Sequence, residues 1–162
     1  MISNFEKVKH FNRSFGVKLH DSPRPNIFEN EPENVNAALK LVQEEVGELV
    51  DAVNEKDYKE VCDALADILY VVYGMGARLG LDMDKAVDLV HKNNMAKLCF
   101  NFEEAEATVK YYKEHPELGY LSPDIRYSFD KTRLVVYNKD TKKILKSINW
   151  KPVDLTDCIT PL

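Results

Sequence analysis

The sequence is poor in cysteine, and the three cysteines that it has offer no disulfide framework. Cys62, Cys99 and Cys158 are an odd number, lie far apart and form no C-x-x-C pair. Such cysteines are typical of proteins kept in a reducing compartment. The first residues, "MISNFEKVKHF", carry charge from the sixth position and do not resemble a signal peptide. We therefore expect a cytoplasmic protein.

Long apolar runs and an excess of positive charge are also missing. The longest apolar run, Ala64 to Ala77, is too short to span a bilayer and is interrupted by Asp67, so we expect no membrane contact. The formal net charge of −5 argues against binding to a nucleic acid polymer. It does not argue against a nucleotide, because acidic side chains can hold a cation that in turn binds phosphates.

Helical patterns dominate what is present. Apolar spacing and capping residues predict helices at about residues 4–15, 30–55, 58–79, 81–98 and 101–115, with Asn30, Asp82 and Asn101 as caps and Gly80 as a stop. The segment 126–150 alternates β-branched, aromatic and basic residues around the polar turn "NKDTKK", which predicts a β-hairpin. We expect an all-α bundle with an appended C-terminal β-hairpin. Its helical core would span residues 1–116 and its extension residues 117–162, in one compact unit.

The second predicted helix carries four carboxylates within "EEVGELVD". Its main apolar stripe is expected to form the core, and this stripe leaves Glu44 and Asp51 pointing roughly opposite the core. Glu45 and Glu48 lie instead on an apolar flank. An ionised carboxylate among apolar neighbours needs a partner. The stripe consists of Val35, Leu39, Val42, Val46, Leu49 and Val53.

The third predicted helix repeats this pattern, because Asp63 and Asp67 share a face that continues into apolar residues. We therefore expect Asp67 to be enclosed, either in the bundle or at a subunit interface. Two helices joined by a short turn run antiparallel. The two acid pairs would then face each other at similar heights. Four converging carboxylates repel unless a divalent cation lies between them, and oxygen ligands alone indicate Mg²⁺ or Mn²⁺.

At these residues the sequence resembles the all-α nucleoside triphosphate pyrophosphohydrolases, the superfamily of MazG, phosphoribosyl-ATP pyrophosphohydrolase and the dimeric dUTPases. The mark of that superfamily is E-x-x-E followed by E-x-x-D. Here "EEVGEL" supplies Glu45 and Glu48, and "DALADILYVVYGMGARLGLD" is similar to the second metal helix. Ala64 stands where the family has Glu, so Asp63 is the expected replacement, with Glu60 as the alternative.

The resemblance implies hydrolysis of a nucleotide between its α and β phosphates, giving a monophosphate and pyrophosphate. Glu45, Glu48, Asp63 and Asp67 would hold Mg²⁺, and Glu45 or Glu44 would orient or deprotonate the attacking water. Asn94, Lys97 and Lys92 are similar to family positions that contact phosphates, although Lys residues near a helix C-terminus are also ordinary. Phe11, Phe15 and His10 are candidates for stacking a base, although core packing is the commoner role of such residues.

Other functions are compatible with parts of the sequence. A di-iron bundle would need Glu-x-x-His motifs, and no histidine follows a Glu in that way near the site. A non-catalytic helical dimerisation or regulatory module, and a phosphoribosyl-ATP pyrophosphohydrolase of histidine biosynthesis, stay open as alternatives. The third helix is apolar all round, and family members form dimers or tetramers. We therefore expect a homodimer or tetramer that takes a nucleotide substrate.

Overall fold

The computed structural model describes residues 2–159, which form two compact units. The first, here called the helical unit, comprises residues 2–87 and 155–159. The second, here called the hairpin unit, comprises residues 88–154. The boundary falls inside a helix, after Val87. Where the helical core ends and the C-terminal extension begins stays a prediction.

Seven α-helices and one two-stranded antiparallel sheet lie within residues 2–159, which confirms the all-α fold with a C-terminal hairpin. A short 3₁₀ helix, Pro116–Leu118, follows the sixth α-helix. The elements are α1 (Asn4–Ser14), α2 (Ile27–Asn30), α3 (Pro32–Glu55), α4 (Tyr58–Leu79), α5 (Met83–Met95), α6 (Phe102–Glu114), β1 (Pro123–Tyr127), β2 (Leu134–Asn138) and α7 (Thr156–Ile159).

Side chains at the helix ends explain most of these bounds. The Oδ1 atom of Asp57 accepts hydrogen bonds from the backbone N–H groups of residues 59 and 60, at 3.0 and 3.1 Å. Asp82 and Asn101 cap α5 and α6 in the same way, as predicted. Asn30 was expected to cap α3, and this was wrong. It ends α2 instead, and α3 begins at Pro32, a residue suited to the first helical position, without a side-chain cap bond.

Gly80 ends α4 and joins it to the next segment. Its φ of +74° lies in the left-handed region, and an added Cβ atom would lie 2.0 Å from the carbonyl oxygen of Ser22. Only glycine fits this combination of conformation and close backbone approach.

Helices α3 and α4 form an antiparallel hairpin whose buried seam is made of small residues. Ala38, Ala52, Ala64 and Ala77 are all at most 6% exposed. The predicted core stripe of α3 was wrong in its centre, because of its members only Val35 is buried. Leu39, Val46 and Val53 are 42%, 45% and 56% exposed. The alanines let the two backbones approach, and this closeness turns the large apolar side chains outward.

The hairpin unit has its own core, in which α6 packs on the sheet. The strands pair from Pro123 opposite Asn138 to Tyr127 opposite Leu134. The turn of this hairpin covers residues 128–133, whereas the sequence placed it at "NKDTKK". The latter stretch forms a second turn, closed by a single bridge between Tyr137 and Ile144. The core cluster consists of Cys99, Ala105, Tyr112, Leu134, Val136 and Leu145.

The carboxylate of Asp130 organises the 128–133 turn. It accepts hydrogen bonds from the Ser128 hydroxyl at 2.6 Å and from the backbone and hydroxyl of Thr132 at 3.1 and 2.8 Å. These bonds lower the pKa of Asp130 to about 2. Local side-chain bonding of this kind explains why the chain reverses here rather than only at the more polar second turn.

Across residues 2–159, no single helix is both long and apolar enough to cross a bilayer, and only α4 and α5 taken together across their 114° bend reach that length and composition.

Candidate functional site

Glu45 lies on the face of α3 that packs against α4. It stands midway between Ala38 and Ala52, seven residues from each, so the three share one line along the helix. Both alanines are buried, and Glu45 itself is half-buried. Its Oε2 atom is fully buried and has no hydrogen-bond partner in the structure. A buried carboxylate oxygen without a donor is destabilising, and such groups call for a functional explanation.

The surroundings of Glu45 are acidic. Burial raises the pKa of its carboxyl group, and the negative charges of Glu48, Asp67, Glu44 and Asp63 raise it further, in that order. The three other acids of the predicted cluster therefore each lie within electrostatic range of Glu45. Glu45 and Glu48 belong to α3, and Asp63 and Asp67 belong to the antiparallel α4. The expected meeting of the two acid pairs is consistent with this arrangement.

The donor set fits a hard divalent cation in its chemistry. All four side chains offer oxygen ligands, which Mg²⁺ and Mn²⁺ prefer, and the unpartnered oxygen of Glu45 would gain a partner. Across residues 2–159, however, the side chains form no group of three or more acidic, His or Cys residues already arranged to hold a metal ion. Rotation of the exposed acids toward Glu45 is needed to complete such a site.

The other three acids are more exposed than Glu45. Glu48, Asp63 and Asp67 all lie on the surface of the single chain. The single chain does not enclose Asp67, because Ala64 rather than Asp67 is buried between the helices. The other expected location of Asp67, a subunit interface, stays a prediction. Exposed carboxylates can turn without a packing cost, which suits groups that must adapt to a cation and a substrate.

Glu44 and Glu60, unlike Glu45, form ion pairs with lysine side chains. Glu44 is exposed and pairs with Lys40 at 3.2 Å, and Glu60 pairs with Lys59 at 3.3 Å. Both are surface pairs between neighbours on one helix. Glu45 therefore has the stronger case as the group that acts on a water molecule, and Asp63, which influences the pKa of Glu45, has a stronger case than Glu60 as a ligand.

The predicted phosphate contacts belong to the hairpin unit. Asn94 lies in the last turn of α5, which ends at Met95 rather than at the expected residue 98, and Lys97 lies just beyond it. The ammonium group of Lys97 donates to Oδ1 of Asn94 at 2.7 Å, so the structure brings these two together. Lys92 instead pairs with Asp88 at 2.6 Å. Their role toward a phosphate stays a prediction.

An aromatic hollow of about 90 Å³ lies one helical turn from the acids. The ring of Phe11 is 5.5 Å from the ring of Tyr70, in edge contact, and 4.5 Å from that of Phe15. Tyr70 follows Asp67 by one turn, and Leu41, which also lines the hollow, precedes Glu45 by one turn. Sequence reasoning named Phe11 and Phe15 but missed Tyr70 and Leu41. Each of the two residues lies one helical turn from an acid of the cluster, and this spacing in the sequence could have indicated them.

His10 was considered together with Phe11 and Phe15 as a base-stacking residue. It is exposed on α1 and is not among the side chains that line the hollow. Arg78 does line it, and its guanidinium group donates to the backbone and side-chain oxygens of Asn34 at 3.3 and 3.1 Å. Burial lowers the pKa of Arg78, so this end of the hollow carries a partly desolvated cation.

An all-α hairpin that carries acid pairs on facing helices is the architecture of the all-α nucleotide pyrophosphohydrolases. Residues 8–94 match the family model described as phosphoribosyl-ATP pyrophosphohydrolase, which is more than half of the chain. The chain belongs to this family, within the MazG-like superfamily. At the level of the family it is a pyrophosphohydrolase-type enzyme. The match includes Asn94 and leaves residues 95–162 outside it.

The chain is also similar to a curated viral protein, "Uncharacterized protein L479" of Acanthamoeba polyphaga mimivirus. The two are 29% identical, over 97% of this chain and 96% of that protein. The similarity therefore extends through the hairpin unit and is not limited to the residues that match the family.

If the acid cluster binds a divalent cation, saturating Mg²⁺ or Mn²⁺ will stabilise the folded chain by about 2–3 kcal/mol and raise its Tm by roughly 5 °C. Asp67→Asn is expected to abolish this rise, since it removes one charged ligand. Asp51→Asn, on the exposed side of α3, is the matched control and is expected to retain it. Thermal unfolding followed by circular dichroism measures both. An equal rise in all three proteins would contradict a cation site at Asp67.

Proposed function

We propose that the protein hydrolyses a nucleoside triphosphate, or a related nucleotide, between the α and β phosphates and releases a nucleoside monophosphate and pyrophosphate. The observation that carries this proposal is the buried, unpartnered Glu45 oxygen beside Glu48, Asp63 and Asp67. Membership in the pyrophosphohydrolase family supports the class of reaction. Dependence on Mg²⁺, with Mn²⁺ as a substitute, is part of the proposal.

The four acids would hold the cation, with Glu48, Asp63 and Asp67 turning inward toward Glu45. Mg²⁺ bound there would neutralise phosphate charge and lower the pKa of a bound water molecule. The role of Glu45 follows from its surroundings. Its Oε2 atom is buried and has no hydrogen-bond donor in the structure, so this oxygen is available to accept a hydrogen bond from a water molecule. Glu45 would thus orient the water that attacks the α phosphorus, with Glu44 as the alternative.

The proposed hydrolysis balances with the nucleotide and water as its only reactants. Water adds its oxygen to the α phosphorus, the bond from that phosphorus to the bridging oxygen breaks, and pyrophosphate leaves with the electron pair. The proton lost by the water passes to a carboxylate and then to solvent. Asn94, Lys97 and Lys92 are proposed as further phosphate contacts on the family resemblance.

The aromatic hollow is proposed to take the base of the nucleotide. Phe11 and Tyr70 are 44% and 37% exposed, so their rings are available for stacking. Their separation of one helical turn from the acids matches the arrangement of a nucleotide, whose base and phosphates lie at opposite ends of a sugar. The hollow of about 90 Å³ is small, which favours partial insertion of the base over its complete enclosure.

A homodimer, or a tetramer built from it, is proposed from an uncovered apolar surface of the α3–α4 hairpin. Its residues, here called the apolar outer face, are 42% to 58% exposed in the single chain. Contiguous exposed apolar surface of this kind marks an interaction site. A second copy would bury it. The apolar outer face consists of Leu39, Val46, Val50, Val53, Leu65 and Leu69.

Two alternatives differ from this proposal in substrate or in activity. A phosphoribosyl-ATP pyrophosphohydrolase would use the same acids on one specific nucleotide, and the name of the matching family favours including that substrate in any test. A non-catalytic helical module would keep the fold without turnover. The three free cysteines support a reducing compartment, and we propose a cytoplasmic location.

A panel of canonical and modified nucleoside triphosphates with phosphoribosyl-ATP, each incubated with Mg²⁺, will identify the substrate through pyrophosphate release. Asp67→Asn and Glu48→Gln are expected to lower turnover by at least about 100-fold, because each removes a charge that neutralises the transition state through the cation. Asp51→Asn is expected to keep normal turnover. Absence of pyrophosphate with every substrate would support the non-catalytic module and contradict the enzyme.

A charge placed on the apolar outer face will separate the subunits if this face is the interface. Leu69, which is 58% exposed, is the position of choice, and Leu69→Glu is expected to give a monomer. Phe28→Glu is the matched control, since Phe28 on α2 is 59% exposed and outside this face. Size-exclusion chromatography with light scattering measures the mass. A wild-type monomer, or a Leu69→Glu dimer, would contradict the proposed interface.

A further inference from the structure

Positive charge is concentrated in one part of this acidic chain. Residues 126–151 contain eight Lys and Arg residues against two Asp, although the whole chain has a formal net charge of −5. Such asymmetry is typical of segments that meet polyanions. The expectation that the protein binds no nucleic acid polymer was based on the net charge of the whole chain. It does not extend to this segment, which also lies outside the residues that match the family.

Four aromatic side chains are exposed at one end of the hairpin unit. Phe100, Phe102, Tyr127 and Phe129, here called the aromatic end, are 67%, 51%, 56% and 105% exposed. The rings of Phe102 and Tyr127 are in edge contact at 5.7 Å. Backbone pairing fixes their position, because Leu134 pairs with Tyr127 and also bridges to Cys99. Side chains so exposed are not core residues, so packing does not explain this group.

Positively charged side chains lie close to these rings. The guanidinium carbon of Arg133 lies 4.0 Å from the centre of the Phe100 ring. Lys131 lies in the same turn as Phe129. A cavity of about 500 Å³ adjoins them, lined by Phe100 and Arg133 and by the apolar side chains of Met95 and Leu98. It is large enough for a nucleobase, which has a flat face for the ring and edges for polar neighbours.

Two acids beside this surface, Asp130 and Glu104, are occupied by internal hydrogen bonds. Asp130 accepts bonds from Ser128 and Thr132 within its own turn. Glu104, which also lines the cavity, accepts from the backbone of Phe100 at 2.8 Å and from the Ser147 hydroxyl. Both carboxylates serve the local fold. Lys131 and Arg133, by contrast, are exposed, so phosphates can reach them.

We propose that the aromatic end of the hairpin unit binds single-stranded nucleic acid. Bases stack on Phe129, Tyr127 and Phe100, and phosphates pair with Lys131 and Arg133. Exposed rings interleaved with cations form the usual platform for single strands. The rings alternate with charged residues rather than forming one continuous apolar patch, which favours a strand over a bilayer or a second copy. This inference is independent of the proposed hydrolysis.

The test is fluorescence anisotropy of the full-length protein with labelled single strands of about 20 nucleotides, both RNA and DNA. Binding is expected and will weaken steeply between about 50 and about 200 mM salt. Phe129→Ala is expected to weaken it about tenfold through the loss of stacking. Lys131→Gln is expected to weaken it less and to make the salt dependence shallower. Because Phe129 is fully exposed, its replacement leaves the core intact, and circular dichroism checks this.

Matched controls come from the helical unit. Phe28 is 59% exposed, and the side chain of Lys59 is 90% exposed, so Phe28→Ala and Lys59→Gln are expected to bind normally. Absence of strand binding, or equal binding by all variants, would overturn the proposal. Two further outcomes would also overturn it. In the first, anionic vesicles but not strands lose affinity in Phe129→Ala. In the second, Phe129→Ala changes only the oligomeric mass.

Discussion

The carboxylate of Glu45 sets the main physical constraint on the helical unit. Two helices pack through alanines, and this close seam places one glutamate where its Oε2 atom has no donor and its neighbours are acids. Removing a carboxylate from water without a partner costs free energy, and further negative charges add to that cost. A seam selected only for stability would have an apolar residue at this position. The free-energy cost of burying this carboxylate is explained if the acids hold a cation that binds the phosphates of a substrate.

The same seam connects the proposed site to the proposed assembly. Because alanines occupy the contact between α3 and α4, the larger apolar side chains of both helices are turned outward. One arrangement of small and large residues thus creates an acidic site on one face and an uncovered apolar surface on the next.

The sequence predicted the bounds of the helices more accurately than it predicted which face of a helix is buried. The bounds of α4 and the caps at Asp82 and Asn101 were predictable, because capping depends on residues within one turn. The buried face of α3 was not, because the largest apolar stripe was taken as the core, whereas close helix packing selected the alanine line that contains Glu45. Contacts between the two helices determine which face of α3 is buried. The hydrophobic pattern of a single helix does not show those contacts. The hairpin turn was misplaced for a similar reason, since the Asp130 network outweighs the polarity of "NKDTKK".

The most direct measurement for the central claim is hydrolysis of the best substrate in ¹⁸O-labelled water, with the products separated and weighed by mass spectrometry. Attack of a carboxylate-oriented water on the α phosphorus predicts one ¹⁸O atom in the nucleoside monophosphate and none in the pyrophosphate. Label in the pyrophosphate, or release of inorganic phosphate in its place, would show attack at another phosphorus and would contradict the account.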